Sequence, residues 1–386
     1  MKNNQRPKNA LILSTIFVRE EKDSIAPFTL DYAKGLLNIF DKVDVLVPHS
    51  EKNKEKSKEN IEGINIERFT YFFRNSWQFL CYRKGIPQNL KNHTLAWIQI
   101  PFLFITYISK ALKYGKKSNF IYCNWTPTIL IGLVLKFFYK SKVIAIAHGS
   151  DIRRIPKFIN KFLLKRCDFI ISGHEDLIEF IKKYELNTPT LKIRNFIDES
   201  KFKDAKPTTN KKKILWIGRL SEFKDPIFYL KIAKEFQKID PSITFQLVGD
   251  GELREKVQNY IKDNKLKNIN YLGARGDVPE LINKCSAVFF SETINVIWGT
   301  VLIESILSKR VCIINDAGEN CDFFDHNRNC ILYKSNDKED CINKMKKTFE
   351  KNFNSQPIVA AALETIRKEK FDQRSIIEQH LKIINQ

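Results

Sequence analysis

The sequence predicts an α/β protein built from two doubly wound, Rossmann-like halves. Three observations carry that expectation. Short apolar runs suited to buried strands alternate with helical patterns in two separate series, the arrangement of parallel sheets covered on both faces. A polar, basic stretch over residues 204–213 divides the two series. The length of 386 residues suits two domains of roughly 150–200 residues better than one core. A hydrophobic content of 43%, with only 14 Gly and 13 Pro, fills such cores without long linkers.

In the first series Ala10–Val18 reads as a strand, Asp31–Phe40 as a helix and Val43–Val47 as a second strand. The charged run Ser50–Asn60 reads as an exposed loop. Further strands are expected at Phe120–Cys123, Val143–Ala147 and Phe169–Ile171, with helices opening after Pro127 and at Glu175. The second series has strands at Ile214–Ile217, Thr244–Val248, Ile269–Leu272, Ala287–Phe290 and Val311–Ile314. Helices over Asp225–Lys238, Glu252–Lys262, Val278–Asn283 and Val301–Leu307 alternate with them. This divides the chain into a first domain over 1–205, a second over 206–360 and a last helical segment over 361–386. That segment either caps the second domain or crosses back to the first. Two doubly wound halves place a ligand between them, at the carboxyl ends of the strands.

The formal net charge is +21, from 65 Lys and Arg against 44 Asp and Glu. Such an excess favours anionic partners: nucleic acid, acidic lipid surfaces or phosphorylated small molecules. Lysines run along the whole chain, as they do on ordinary solvated faces. The eight cysteines form no CxxC pair and several sit in apolar runs, which argues against structural zinc and against a disulfide framework. Met1–Lys8 is polar, without the pattern of a signal peptide. The longest apolar stretches, Trp97–Ile108 and Ile129–Leu135, fall short of the roughly 18 residues of a membrane span and read as core helices. The expected location is therefore the cytoplasm, with peripheral contact at the inner face of the cell membrane as an option.

The segment Trp216-Ile-Gly218-Arg219-Leu-Ser-Glu-Phe-Lys224-Asp225-Pro226 follows the first strand of the second half and opens a helix marked by Asp225 and Pro226. Gly218 lets the backbone turn sharply as it leaves the sheet. Arg219 and Lys224 then stand over the sheet's carboxyl edge, a bidentate fork and a movable point charge placed where a diphosphate would sit. Taken alone, the pair also fits two ordinary surface cations. The turn at Gly249-Asp-Gly251 lacks the third glycine of a dinucleotide fingerprint, so a dehydrogenase is not indicated. No Asp-x-Asp metal motif occurs.

The order of these motifs resembles the retaining glycosyltransferases of family 4. That resemblance spans about residues 10–350. It implies the GT-B fold: α/β, two facing Rossmann-like doubly wound domains with an interdomain cleft. It also implies that Arg219 and Lys224 hold the donor's diphosphate and act catalytically, with Gly218 in the same loop. Tyr271-Leu-Gly273-Ala-Arg275 is similar to the family's loop against the nucleotide base. Gly299-Thr300-Val-Leu-Ile-Glu304 is similar to the second half of its paired-glutamate motif, with Glu304 early in a helix on the ribose hydroxyls. The family's first glutamate lies eight positions earlier, where this chain has Val296; Glu292 or Asn295 could reach the same space, and Asn295 is assigned to the donor. Gly318-Glu-Asn-Cys-Asp322 resembles a further segment that shapes the crevice. In the first half, Ala147-His148-Gly149-Ser150-Asp151 resembles a motif whose histidine meets the donor sugar or the acceptor hydroxyl. Asp151, Trp125 of Tyr122-Cys-Asn-Trp125-Thr-Pro127, and His174 are assigned to the acceptor side or the cleft. The stretch Ser24-Ile-Ala-Pro-Phe28 lacks the glycines the family often has beside the donor phosphate.

The implied function is transfer, with retention, of a sugar from a nucleotide-sugar donor to a glycan or lipid-linked acceptor in cell-surface polysaccharide synthesis. The leaving diphosphate gains negative charge, which preorganised cations stabilise, so neither a metal nor another cofactor is expected. Phe137-Phe-Tyr-Lys-Ser-Lys142 and Arg74…Tyr82-Arg-Lys84 mix aromatics with cations, which suits an acidic membrane surface. Two enzymes compete within this fold class: a nucleotide-sugar epimerase and a phosphorylase, the latter without an evident pyridoxal-binding motif. From another class comes a basic nucleic-acid-binding protein, supported by charge alone and without a recognised module.

Overall fold

The computed structural model describes residues 8–20, 23, 26–50, 55–82, 85–206, 212–293, 299–318 and 320–385. The chain divides into two compact units. The first takes residues 1–198 and the last fourteen, 373–386; the second takes 199–372. The divisions thus fall at 198 and 372, where sequence pattern placed them at 205 and 360.

The first unit runs β1 (Asn9–Ser14), α1 (Phe28–Leu37), β2 (Lys42–Pro48), β3 (Lys58–Ile61), β4 (Ile64–Phe69), α2 (Ile86–Asn92), α3 (Leu95–Gly115), β5 (Phe120–Asn124) and α4 (Pro127–Tyr139). It continues with β6 (Lys142–Ala147), α5 (Ser150–Arg154), α6 (Lys157–Leu164), β7 (Phe169–Ser172), α7 (Glu175–Lys182) and β8 (Thr190–Lys192). Its eight strands lie in the order β3-β4-β2-β1-β5-β6-β7-β8. All pair in parallel except β3 with β4. Leu11 sits opposite Asp44 on one side and Ile121 on the other. The continuous burial of β1 from Ala10 and of β5 throughout is that of strands covered on both faces.

The charged run read as a loop carries β3. Its Lys58, Glu59 and Asn60 are polar in succession, which an edge strand with one side of its ladder toward solvent tolerates, so strand periodicity is weak there.

The second unit runs β9 (Lys213–Ile217), α8 (Pro226–Ile239), β10 (Thr244–Val248), α9 (Arg254–Asp263), β11 (Ile269–Gly273), α10 (Val278–Asn283) and β12 (Ala287–Phe289). Then follow α11 (Thr300–Leu307), β13 (Val311–Asn315), α12 (Asn320–Phe323), β14 (Ile331–Tyr333), α13 (Lys338–Thr348) and α14 (Gln356–Lys368). The sheet order is β11-β10-β9-β12-β13-β14, all parallel. Numbered from its own first strand this is 3-2-1-4-5-6, the doubly wound order. Its core holds Trp216, Tyr229, Phe236, Phe245 and Phe289, each nearly inaccessible to solvent.

Arg310 is buried here without a carboxylate. Its guanidinium donates instead to the carbonyls of Ile282, Asn283, Lys206 and Ser308 at 2.7–3.0 Å, joining the segment that enters the unit to the end of α11. Desolvation holds its pKa below the ordinary guanidinium value.

The terminal segment is two helices. After α14 the chain turns at Lys370, with φ 58°, into α15 (Gln373–Ile384), which belongs to the first unit. Its buried face, Ile376, His380 and Ile383, packs toward α1, with His380 stacked on Phe196 at 5.0 Å.

Two expected core helices differ from that reading. α3 is 21 residues long, long and apolar enough to cross a membrane by length and composition, and only 28% of its apolar window is buried. α4 also leaves apolar residues outside. Seven of the eight cysteines are buried as free thiols, and Cys321 is exposed.

Candidate active site

The order of the second sheet sets a switch point between β9 and β12. From β9 the chain proceeds to β10 on one side, and from β12 to β13 on the other. The loops at these two carboxyl ends therefore part, and the gap they leave is where ligands bind in open α/β sheets.

From β9 the chain passes through Gly218 and Arg219 into a short 3-10 turn, Glu222–Lys224, and then into α8. Asp225 caps α8 from the left-handed region, φ 40°, its carboxylate accepting the Phe228 N–H at 2.9 Å. Pro226 follows at the first helical position, where no donor is needed. Burial raises the Asp225 pKa above the ordinary carboxylate value.

This turn is stapled to the end of β12. The Trp216 indole N–H donates to Ser291 Oγ at 3.0 Å, and that hydroxyl shares its proton between the Lys224 and Asp225 carbonyls, each at 2.9 Å. The Thr293 N–H donates to the Phe223 carbonyl at 2.7 Å. Between these anchors the Lys224 ammonium forms an ion pair with Glu292, the two side chains 19% and 12% exposed. Asn315 holds the Glu292 carbonyl at 2.7 Å, and Asn320 in turn donates to the Asn315 carbonyl at 3.0 Å. Lys224 is thus a fixed cation at the switch point, and Glu292 is the carboxylate that fixes it.

Arg219 is held differently. Its side chain is 62% exposed and Nε donates to Glu252 at 3.2 Å. An exposed pair of this kind is worth roughly 0–1 kcal/mol, so an anion offering two oxygens competes with it readily.

The neighbouring loop from β10 lies directly against this one. The Gly218 N–H donates to the Val248 carbonyl at 3.0 Å and the Leu220 N–H to that of Asp250 at 3.0 Å. Gly249 has φ 143°, and a Cβ there would stand 1.8 Å from the Gly218 oxygen; one at Gly251 would stand 2.4 Å from the Leu220 oxygen. Both glycines exist for this close approach. The Gly249 N–H reaches the Gly273 carbonyl at 2.8 Å, so Gly218, Gly249 and Gly273 form one row across three strand ends.

Other expected residues lie farther along that edge. Arg275 stands on the loop after the edge strand β11, two strands from β9, and its guanidinium closes on Asp277 through two bonds of 2.8 and 2.7 Å. Gly299 precedes α11 and Thr300 opens it. Glu304 is half-buried and fifth of the eight residues of α11, rather than in its first turn. Asn295 and Val296 lie outside the described residues.

The first sheet has its own switch point, between β1 and β5. Asn124 ends β5, and Trp125 follows with φ 74°, a strained conformation for a non-glycine residue. His148 leaves the adjacent strand β6 and its Nε2 donates to Asn124 Oδ1. The imidazole lies 5.1 Å from the Trp125 ring and 5.7 Å from Phe28. Gly149, φ 95°, makes the turn into α5. Asp151 is the second residue of that helix; its side chain is outside the described atoms. His174 caps α7 beyond the next strand end, and its N–H donates to Ser172 Oγ at 3.2 Å. Of the Ser24–Phe28 stretch only Ala26, Pro27 and Phe28 are described.

Arg219 and Lys224 therefore share one switch point, and His148 with Trp125 marks the other, in the other unit. Sequence reasoning did not single out Ser291, Asn315, Asn124 or Phe28, and named Glu292 without its partner. A Ser-Glu-Thr run directly after the apolar β12 was the available signal for the staple. Among the described residues, no three His, Cys, Asp or Glu side chains converge as metal ligands do.

Residues 197–364 match the family model described as glycosyl transferases group 1. Over 288 residues the chain is 27% identical to an alpha-1,4-N-acetyl-D-galactosaminyltransferase of Campylobacter jejuni, whose name gives its acceptor as a glycan on PP-undecaprenol. The alignment covers 72% of this chain and 77% of that protein. It is 22% identical over 365 residues to the poly(ribitol-phosphate) alpha-N-acetylglucosaminyltransferase of Staphylococcus aureus, covering 92% and 69% of the two chains. In fold it matches Anabaena HepE, crystallised with UDP and glucose, at a TM-score of 0.71 and 16% identity over 98% and 99% of the chains. The two parallel-sheet units are those of GT-B proteins.

Proposed function

We propose that this chain is a glycosyltransferase that moves a sugar, with retention, from a nucleotide-sugar donor to a lipid-linked or glycan acceptor in cell-surface glycan synthesis; the match of residues 197–364 to the group 1 family model supports it. The observation that carries this reading is the fixed ammonium of Lys224 at the switch point of a phosphate-suited glycine row, with Arg219 beside it in sequence. As the bond from the anomeric carbon to the diphosphate breaks, charge builds on the leaving oxygens. A cation already oriented there lowers the barrier without reorganising. Lys224 and Arg219 take that role, and no metal or other cofactor is needed for it.

The acceptor hydroxyl forms the new bond on the face the diphosphate leaves, and its proton passes to a phosphate oxygen. His148, Asp151, Trp125 and His174 serve the sugar or the acceptor. Gly218, Gly273, Arg275, Asn295, Gly299, Thr300 and Glu304 serve the nucleotide and its sugar. A uridine diphosphate sugar is the first donor to test, because a structural relative was crystallised with UDP. The Campylobacter relative's name gives a lipid-linked acceptor, which supports a reading in which this chain works at the cytoplasmic face of a membrane.

Thermal unfolding with UDP-, GDP- and ADP-sugars tests the reading, because a ligand that binds only the folded state raises the midpoint. A rise with one nucleotide class, lost in Lys224→Ala, is the expected result. No shift with any of the three classes would sink it.

A further inference from the structure

Among the described residues, all but two of the large hydrophobic side chains that stay exposed lie between Phe73 and Phe162; the exceptions are Ile239 and Leu381. Charge concentrates in the same stretch. Between Thr70 and Arg166 the chain has seventeen Lys and Arg against one acid, Asp151, which is a net +16 of the chain's +21. Lys and Arg are about as dense there as along the rest of the chain; what sets the stretch apart is the near absence of acids. A quarter of the chain that is at once apolar outside and almost free of acids is not an ordinary solvated face.

Topology puts these residues on one layer. α3 packs on α4 and α4 on α6, and a Cβ at Gly115 would stand 2.7 Å from Leu135, so α3 and α4 touch closely. On α3 the exposed apolar residues Leu95, Ile98, Phe102 and Ile105 recur at helical spacing along one stripe, and Lys113 continues it. Phe72, Phe73, Trp77 and Phe102 cluster beside it with centroids 4.8–6.2 Å apart. On α4, Phe137 is 81% exposed, with Lys140 just past the helix end, and on α6 Phe158 and Phe162 alternate with Lys157 and Lys161, with Lys165 just past its end.

The helix that could span a bilayer by length does not lie free to do so. Its opposite stripe, Gln99, Leu103, Tyr107 and Ala111, is buried on the sheet. The Tyr107 hydroxyl lies 2.9 Å from the Ser14 carbonyl and 2.6 Å from that of Leu46, and the Gln99 amide donates to the Trp77 carbonyl at 2.7 Å. A helix anchored this way meets a membrane on its side.

We propose that the outer face of α3, α4 and α6 is a docking surface for an anionic lipid bilayer. Aromatic and aliphatic side chains enter the headgroup boundary while the lysines around them meet acidic headgroups, the arrangement of interfacial helices. A polyanion such as nucleic acid would use the charge but leave the apolar stripe in water; a bilayer satisfies both. The inference deepens the lipid-linked acceptor reading and rests on it for the purpose of docking, though not for docking itself.

Flotation of the full chain with vesicles of phosphatidylcholine, with and without phosphatidylglycerol, tests it. The protein is expected to float with the acidic vesicles, to release at high salt as screened charges do, and to remain below with phosphatidylcholine alone. Ile98→Ser with Phe102→Ser, or Phe137→Ser with Phe158→Ser, should weaken flotation about tenfold or more. Ile239→Ser with Leu381→Ser should leave it unchanged. Because all these side chains are exposed, the variants keep their fold, which their melting curves check. Nucleotide-sugar binding without vesicles should be unaffected in every variant, so loss of docking and failure of the sugar-transfer reading are told apart. Absence of flotation, flotation indifferent to the apolar substitutions, or self-association abolished by those substitutions in a chain that ignores vesicles would each overturn the proposal.

Discussion

At the carboxyl ends of its strands the second unit is knit by backbone, and the first is closed by side chains. Gly218, Gly249 and Gly273 bring three loops of the second unit within hydrogen-bonding distance of one another, with no room for a single added carbon at Gly249. The equivalent edge of the first unit is held by the His148–Asn124 bond and by the rings of Trp125 and Phe28. The difference matters for what each edge can do. A row of backbone groups with one fixed cation beside it is the rigid, repeated geometry that a diphosphate would need. Aromatic rings around an imidazole offer a shaped surface that one side-chain change can re-cut. A conserved chemistry fits the first kind of edge, and a variable substrate the second.

The comparison breaks most easily at Gly249. Gly249→Ala drives a methyl group to 1.8 Å from the Gly218 oxygen, which is itself held in the row. A loss of about 3 kcal/mol or more is expected in urea unfolding. A loss under about 1 kcal/mol would show that the loops are not knit as described.

Next come the cations. Lys224→Ala and Arg219→Ala should each lower sugar transfer at saturating donor by at least about a hundredfold, the scale for one lost charge-stabilising group. Transfer at the parent rate by either variant removes that residue from the diphosphate.

The first unit can be probed through its side chains by pH. His380 is buried among Phe196, Tyr32 and Tyr122, its Nε2 has no partner, and desolvation lowers its pKa to about 3. Between the unfolded value of about 6.5 and that folded value, the unfolded chain binds a proton that the folded chain refuses. Its stabilising contribution is therefore complete above about pH 6.5 and falls with acid, by up to about 1.4 kcal/mol for each pH unit. Melting midpoints taken from neutral to mildly acid pH should decline less steeply in His380→Leu than in the parent. Parallel curves would mean that His380 is not buried neutral.

The smallest effect sharpens the first. Gly273 has φ 67° but nothing within 4 Å of its would-be Cβ. Gly273→Ala should cost only about 1–2 kcal/mol, the left-handed backbone cost without a collision. Equal costs at Gly249 and Gly273 would assign the whole effect to backbone conformation and none to the meeting of loops.

Much of this was legible before the structure. Strands such as Val311–Ile314 read directly from an apolar run, because burial on both faces leaves little polar sequence to confuse the pattern, and helices such as Val278–Asn283 from the proline at their opening. The Gly218–Pro226 loop read correctly as a turn into a capped helix, since glycine, aspartate and proline act locally. β3 did not read, because an edge strand keeps charged residues on its open side. α3 read as a core helix because composition reports apolarity and not which way it faces. Lys224 could be named as a cation on a loop, yet nothing near it in sequence points to Glu292, 68 positions away.

The sequence by itself determined the two doubly wound sheets and the loop that carries Arg219 and Lys224 from a strand end into a capped helix. These depend on residues within a few positions of one another, where period, capping and backbone freedom act. Only the tertiary structure decided that Glu292 fixes Lys224, that Asn124 orients His148, that α15 belongs to the first unit, and that the apolar side of α3 faces outward. Each of those is a meeting of distant segments, and a linear pattern carries no record of which surfaces the fold brings together or leaves in water.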